Sequence, residues 1–570
     1  MLVSLSSRCR LAAAFLPVVA ACSGGSPAPP SADLDPDPTP ITRSAAVRFL
    51  HRATFGASPA DTDFVVANGY VAWIDAQITQ PTSLMLPPLI PLGCAPDQPG
   101  QSSSTCFPYT PETHLEERMR LWWEHAVYGP DQLRQRVAFA LSEILVVSDR
   151  DALLLEFPCS IADYYDTLVR GAFGTYRDLL EEVTLHPAMG AYLSMAKNRV
   201  EDPVLGTRPD ENFAREVMQL FSIGLSELDA SGRPVLDGFG QPIPTYAQTT
   251  IKETARALTG WTYRVDYPPS NELVDFLDTY PRHGRMEAWP AFHDFGTKTI
   301  VGGAVIPANQ TPQQDVDSVL DALAGHPNVG PFLGRQLIQR LVTSNPSPAY
   351  VARVAAVWDD DGSGVRGNLE AVVRAILLDT EALNGHTTQP LTFGKIREPV
   401  LRVTALWRAF DATGAVAGIH FATDEELGQR PQRAPSVFNF FSPTFTTNAL
   451  AAQRLVAPEL QITTHSKITR AGNLLNFLIF VGNDVIDDPE YIDPVLGVEA
   501  IRETSSNVPA FVAMLDERMC GGTLSSASRA AIEGRLVQVP YVVPGLANGY
   551  LRTLEGIAFV SHSADYAIQQ

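Results

Sequence analysis

Residues 113–127 read THLEERMRLWWEHAV and place Leu115, Met119, Trp122 and Ala126 at helical spacing. Apolar residues every three or four positions form one face of an α-helix that packs against a core. The same spacing recurs in the segments 133–147, 161–170, 177–185, 213–223, 248–258, 329–342, 349–358, 369–378, 396–410, 466–481, 498–515 and 526–537. The sequence therefore predicts a mainly α fold with a large multi-helix globular body.

Strand signals are few. Residues 233–244 contain Asp237-Gly238, and residues 299–306 contain Gly302-Gly303, so each segment favours a small β-hairpin. Long loops join the helices, the longest at residues 268–290. We predict an N-terminal helical lobe at 42–310 and a C-terminal helical lobe at 311–570. A single domain is the alternative, because helical patterns continue on both sides of this boundary.

The N-terminus has the pattern of a bacterial lipoprotein signal peptide at residues 1–21. Arg8 and Arg10 precede a short apolar stretch, and Val19-Ala20-Ala21-Cys22 resembles the lipobox. We expect cleavage before Cys22 and a lipid on its side chain, which would hold the protein on a membrane. A plain signal peptide with a chance cysteine is the alternative. Ser23 follows Cys22 and favours the outer membrane as the final location.

Residues 22–41 are rich in Pro, Ser, Gly and Asp, with almost nothing apolar. Such a composition cannot build a core, so we predict a disordered tether. Charged residues make up 18% of the chain and its formal charge is −21, which becomes −23 when Arg8 and Arg10 leave with the signal peptide. This surface repels nucleic acid, and no basic stripe offsets it, so we expect no nucleic-acid partner.

Four cysteines remain once Cys9 leaves and Cys22 carries the lipid. An even number in an exported protein permits two disulfides. Cys94 and Cys106 flank a polar loop and form the favoured local pair, which leaves Cys159 to pair with Cys520. Four free thiols are the alternative.

Three clusters of polar and ionisable residues are candidate catalytic sites. The first two lie on helices, where residues one turn apart share a face, and the third lies in a loop after a proline-bearing stretch. A carboxylate and an arginine at helical spacing form either an acid/base pair or a surface ion pair. A His-Asp step binds a metal, moves a proton or makes a loop hydrogen bond. The candidates are Glu211, Asn212, Arg215, Glu216, Lys252, Glu253, Arg256, His293, Asp294 and Lys298.

A fourth segment suggests a calcium loop. Asp359, Asp361, Ser363 and Glu370 occupy positions 1, 3, 5 and 12 of a twelve-residue loop, with Gly364 at the sharp turn. Ca²⁺ needs hard oxygen ligands and a glycine at this turn. An acidic turn between two helices is the alternative.

Many runs together resemble a bacterial exported family known as domain of unknown function 1800. They are Arg48-Phe49-Leu50, Thr54-Phe55-Gly56, LRQRVAFALSEILVVS (133–148), HPAMGAYLS (186–194), ENFAREVMQLFSIGL (211–225), IKETARALTGWTY (251–263), FHDFGTKTIVGG (292–303), GVRGNLEAVVRAILLD (364–379), KIREPVLR (395–402) and APSVFNFFSPTF (434–445). The resemblance implies an exported, mainly helical protein. It also implies a second exported family, sulfatase-like, as a genetic neighbour, but no established reaction.

Two hypotheses of function follow. In the first, which we favour, the chain is a cell-envelope surface or assembly protein that acts with the sulfatase-like neighbour. In the second, it is a metal-assisted envelope enzyme, a hydrolase or an oxidoreductase. There, His293 and Asp294 would bind a transition metal or move a proton, Glu216 would be the second carboxylate, and basic residues would hold an anionic group.

Overall fold

Helices begin where the sequence supplies a capping side chain. Ser58 precedes Pro59 and its hydroxyl accepts from the N–H of Asp61. Thr311 and Gln314 form a capping box at the start of another helix. These side chains satisfy backbone N–H groups that have no partner inside the helix, and proline in the first turn has no N–H to satisfy. Local sequence therefore sets many helix starts directly.

The computed structural model describes residues 40–92, 111–204, 206–264, 272–277, 279–281, 284–416, 419, 423–481 and 494–570. The predicted signal peptide, Cys22, the tether up to residue 39, Cys94 and Cys106 lie outside these residues. The described residues form one compact unit.

Helices dominate this unit, joined by loops and short 3₁₀ and π segments. The first twelve are α1 Arg43–Ala53, α2 Pro59–Asn68, α3 Tyr70–Ile78, α4 Leu86–Leu89, α5 Pro111–Tyr128, α6 Gln132–Ser142, α7 Ala152–Leu155, α8 Pro158–Gly171, α9 Tyr176–Thr184, α10 Pro187–Tyr192, α11 Asn212–Gln219 and α12 Gln248–Ala257. The others are α13 Glu272–Leu277, α14 Pro312–Ala324, α15 Val329–Leu341, α16 Pro348–Asp359, α17 Leu369–Leu378, α18 Thr380–Thr388, α19 Pro399–Ala409, α20 Asn448–Ala451, α21 His465–Asn476, α22 Val508–Leu515, α23 Ser526–Leu536, α24 Tyr550–Ser561 and α25 Ala564–Ala567. The mainly α prediction is confirmed.

Several helix boundaries differ from their predicted positions, and two of them have a clear local reason. The helix predicted at 133–147 ends at Ser142, with Glu143 as its C-cap. The helix predicted at 396–410 begins at Pro399, because a residue before proline disfavours the helical conformation. Lys395 and Ile396 instead form a strand. In both cases the apolar spacing extends beyond the helix, past its end in the first and before its start in the second.

Three small antiparallel sheets lie among the helices in the described part of the chain. Strands β1 Trp261–Thr262 and β2 Glu287–Ala288 form the first. β3 Lys298–Thr299 and β4 Val305–Ile306 form the hairpin predicted around Gly302-Gly303. β5 Lys395–Ile396 pairs with β6 Ile568–Gln569 and ties the end of the described chain back to its middle.

One hydrophobic core contains residues from both sides of the predicted boundary near residue 310. Trp123 of α5 and Trp407 of α19 meet edge to face with ring centroids 5.9 Å apart, and both are fully buried. Aromatic pairs in this arrangement contribute about 0.5–1.5 kcal/mol beyond the area they bury. Within the described residues, no helix is long and apolar enough to cross a membrane.

One predicted disulfide is wrong. Cys520 is a buried free thiol, so it does not pair with Cys159. Cys159 is itself disulfide-bonded. Cys520 lies at the end of a π segment, where burial raises the pKa of its thiol to about 12.

Candidate functional site

The His-Asp loop places its two side chains in different surroundings. His293 Nδ1 lies 2.9 Å from the carbonyl oxygen of Thr259, and its Nε2 lies 3.3 Å from the carboxylate of Asp315. Lys298 Nζ lies 2.7 Å from the same carboxylate. The side chains of His293 and Asp315 are 0% exposed and that of Lys298 is 1% exposed, so they form a buried triad.

Asp294 faces the other way, toward α12. Its carboxylate accepts two hydrogen bonds from Arg256, at 2.7 and 3.1 Å. Arg256 also pairs with Glu253 at 2.9 Å, one helical turn earlier. Burial raises the pKa of Asp294, but the bidentate guanidinium and the N–H of Gly296 hold it below its ordinary value. The acidic side chain is therefore fixed as an anion in a network of ion pairs.

The residues of the α11 cluster contact α12 at its opposite end. Glu211 pairs with Arg215 at 3.1 Å and accepts from Gln248 at 2.6 Å. Asn212 and Lys252 are exposed. Among the described residues, no hydrogen bond or ion pair joins this cluster to the His-Asp loop. Gln248 and Arg256, which contact the two groups, are eight residues or about 12 Å apart along α12.

Glu216 differs from its neighbours. It is 6% exposed and its Oε2 has no hydrogen-bond partner. Burial raises its pKa, with Arg215 acting in the opposite direction. Burial, with a smaller contribution from the nearby Glu216 carboxylate, raises the pKa of Tyr246 to about 12.

The predicted calcium ligands are engaged by the protein itself. Asp359 pairs with Arg366 at 2.6 Å, and Glu370 pairs with Arg374 at 3.1 Å. Asp361 accepts from Ser363, Val365 and Asn368, as an Asx turn does. Within the described ranges, no group of three or more His, Cys, Asp or Glu side chains is placed to hold a metal ion. The geometry is that of an acidic turn between α16 and α17 and gives no support to a metal at this loop or at His293 and Asp294.

A buried charge network that the sequence analysis missed lies between α6, α15 and β5. Lys395 Nζ is 3.2 Å from Glu398 and 3.1 Å from Glu459, and its side chain is 0% exposed. Arg340 lies 3.7 Å from Glu143 and donates to the carbonyl of that residue at 2.8 Å. The carbonyl of Arg340 in turn accepts from Lys395 at 2.8 Å and from Arg136 at 2.6 Å. Three carboxylates and three cations thus share one buried site.

The pKa values of two glutamates in this network are shifted in opposite directions. Burial and the neighbouring Glu398 raise the pKa of Glu143 to about 8, although Arg340 and Lys395 oppose the shift. Burial also acts to raise the pKa of Glu398, but Lys395, Arg136 and Gln429 bring it below its ordinary value. At neutral pH, Glu143 therefore carries a proton beside an ionised Glu398. A protonated carboxyl beside a carboxylate is the arrangement that general acid catalysis uses.

A narrow pocket beside Glu143 has room for about one water molecule. Gln432 and Asn439 line it with left-handed backbones, at φ values of 62° and 64°. Asn439 donates to the Glu143 carboxylate at 3.2 Å. Non-glycine residues in this conformation carry strain and are enriched at functional sites. The other residues that line the pocket are Phe139, Ser142, Val147, Ile161, Tyr164, Tyr165, Pro431, Ala434 and Phe440.

The sequence did contain a signal for this network. Arg136 and Glu143 are seven residues apart in the apolar run 133–148, and two helical turns place both on the same face. A charged pair on an apolar face indicates a buried partner. The run KIREPVLR, quoted above for the family resemblance, supplies Lys395 and Glu398.

A surface feature also stands out, the segment 225–245, which we name the apolar knob. Its backbone closes a ring in which Glu227 donates to Ile243, Ile243 to Val235 and Val235 to Glu227, at 2.8–3.0 Å. The carboxylates of Asp229 and Asp237 each accept from N–H groups two and four residues later. The knob is therefore held rigidly by its own hydrogen bonds. It nevertheless exposes apolar side chains, which are Leu225 at 60%, Leu236 at 55% and Phe239 at 92%.

Comparison with known proteins identifies a family but no activity. A family model described as "Protein of unknown function (DUF1800)" matches residues 48–542, which is most of the chain. No curated protein and no solved structure matches. The buried network, the apolar knob and the clusters on α11, on α12 and in the His-Asp loop all lie in the matched range.

Proposed function

This chain belongs to the DUF1800 family, and we propose that it is an exported lipoprotein, anchored in the outer membrane by a lipid on Cys22, that acts as a surface or assembly protein. Its partner is the sulfatase-like exported protein expected as its genetic neighbour. The apolar knob is the observation that carries this proposal.

The predicted catalytic residues support assembly over catalysis. The triad of His293, Lys298 and Asp315 is at most 1% exposed, so a substrate cannot reach it without a structural opening. Glu211, Glu253 and Asp294 are held by the ion pairs described above. Such networks stabilise and position helices, and this role needs no ligand.

The knob has the properties of a docking element. Phe239 is 92% exposed at a turn whose backbone is fixed by Asp237. Exposed aromatic side chains on a rigid loop lose little conformational entropy when they enter a partner's pocket, and such residues dominate binding energies. The base of the knob is fixed to α15, because Asn328 accepts from Leu228 and donates to Ile223 and Ser226 at 2.8–2.9 Å. We infer that the partner offers an apolar pocket for Phe239.

The test is binding between the purified chain and its purified neighbour, measured by isothermal titration calorimetry. Phe239→Ser should weaken binding at least roughly tenfold, since truncation of a central aromatic residue commonly costs ~2 kcal/mol or more. Leu391→Ser is the matched control, because Leu391 is also 92% exposed but lies outside the knob. Equal binding by both variants would exclude the knob as the docking site. No complex with the unchanged chain would refute the assembly role.

The protonated Glu143 favours a second candidate, an envelope enzyme that uses acid–base chemistry. In this version, the Glu143 pocket replaces the His-Asp loop. The Glu143 side chain is 1% exposed, so the pocket must open before the carboxyl group can donate its proton to a small substrate group. The test is a panel of chromogenic esters, phosphate esters and glycosides. Glu143→Gln should abolish any activity found and His293→Ala should retain it. Activity that survives Glu143→Gln but is lost in His293→Ala would instead indicate that the His-Asp loop is the catalytic site.

A further inference from the structure

A second buried cluster, around Arg52, contains arginines that pair with no carboxylate of the described residues. Arg52 of α1 is 1% exposed, and its Nε and Nη2 have no hydrogen-bond partner. Its guanidinium carbon lies 5.7 Å from the centroid of the Phe393 ring. A cation–π contact of this kind contributes little against the cost of burying an unpaired charge, which is several kcal/mol.

The neighbours of Arg52 are also cations or possible cations with unused donors. Arg48 Nε and Arg397 Nη1 are buried without a partner, and so is His386 Nδ1. These groups come from α1, from the residue after β5 and from α18. In the described part of the chain, no carboxylate pairs with any of the three arginines. Asp516 is close enough to act on the charge of Arg48, but it is already engaged by Arg529 and by the N–H of Leu524.

The two histidines of this cluster respond to its positive charge. Burial together with Arg397, Arg52 and Arg48 lowers the pKa of His51 well below its ordinary value. Burial together with Arg48 and Arg52 lowers the pKa of His386 to about 4. His51 Nδ1 accordingly serves as an acceptor for Arg397, at 3.2 Å. Burial is the larger cause of both pKa shifts and the arginine charges add to it, so both imidazoles stay neutral.

We propose that Arg48, Arg52, His386 and Arg397 form a binding site for a small tetrahedral oxyanion of the phosphate or sulfate class. Such an anion would accept from the unpartnered N–H groups, and guanidinium groups match its oxygens in geometry as well as in charge. Arg48 and His386 are half-buried and Arg52 is fully buried, so an anion would reach Arg52 from the side of Arg48 and His386. This site is separate from the apolar knob and does not depend on the proposed assembly role.

The ligand arms of the test are inorganic phosphate, inorganic sulfate and a phosphate monoester such as glycerol phosphate. Each is added to the purified chain in a chloride buffer of constant ionic strength, and the thermal unfolding midpoint Tm is measured. An anion that binds only the folded state raises Tm with a saturable dependence on its concentration. Response to the inorganic ions alone would identify a free ion as the ligand, and response to the ester would identify a phosphorylated molecule.

Arg52→Met distinguishes a binding role from a structural one. Without added anion, this variant should be at least as stable as the unchanged chain, because an apolar side chain of similar size replaces an unpaired buried charge. It should also bind each anion at least roughly tenfold more weakly, because hydrogen bonds to charged groups are lost. Arg353→Met is the control, since Arg353 is half-exposed and paired with Asp379, and its response should be unchanged. The proposal fails if no anion raises the Tm of the unchanged chain, or if Arg52→Met responds as strongly.

Discussion

Glu143→Gln should remove a specific part of the pH dependence of stability. The pKa of Glu143 is raised to about 8 in the folded protein, whereas an unfolded glutamate titrates near ~4.3. Between these two values the folded state binds more protons than the unfolded state. The free energy of unfolding therefore falls as pH rises, by about 1.4 kcal/mol per pH unit from this group. From about pH 5 to about pH 8, the loss amounts to roughly 4 kcal/mol.

Glutamine has the same shape as a protonated glutamate but cannot ionise. It keeps an oxygen to accept from Asn439, so the variant should match the unchanged chain near pH 5 within about 1 kcal/mol. Near pH 8 it should be the more stable protein, by roughly 4 kcal/mol. Other buried acids also titrate in this range. The informative quantity is therefore the difference in the free energy of unfolding between the variant and the unchanged chain at each pH.

The assay is urea unfolding followed by tryptophan fluorescence, at four pH values between about 5 and 8. Trp122 and Trp123 are at most 2% exposed and report on the core beside α6. Glu499→Gln is the matched control, because the Glu499 side chain is 69% exposed and an exposed carboxylate contributes little. If the free energy of unfolding changes with pH in the same way for Glu143→Gln and for the unchanged chain, the conclusion that Glu143 is protonated in the folded protein is refuted.

Three further outcomes are expected. Lys298→Met should lower the free energy of unfolding by about 3–5 kcal/mol, because Asp315 stays buried without its cation, whereas Lys252→Met on the exposed face should change it by less than about 0.5 kcal/mol in urea unfolding. The Cys520 thiol should not react with a disulfide reagent until the protein unfolds, because burial raises its pKa to about 12; rapid labelling of the folded chain would contradict the buried position. Millimolar Ca²⁺ or a chelator should leave Tm unchanged, since Asp361 is already bonded within its turn; a calcium-dependent rise would restore the calcium loop.

Much of the fold could be predicted because its causes are local. The apolar spacing at 113–127 lies inside α5, and that at 369–378 gives the bounds of α17. Where the spacing misled, a local rule already present in the sequence decided the boundary, as Pro399 did for α19. The charged clusters on α11 and α12 were also found, but spacing gave no information about their partners.

The sequence by itself determined the helices, their caps and the family to which the chain belongs, because periodicity, proline and capping side chains act over a few residues. Only the tertiary structure decided which charges meet. It placed Asp315 against His293 and Lys298, and it brought Glu143 to Glu398 from more than 250 positions away in the chain. It also left two Arg52 nitrogens buried without a hydrogen-bond partner among the described residues. Whether a buried charge is neutralised depends on distances of a few ångströms between remote segments, and hydrophobic burial fixes those distances without regard to sequence separation.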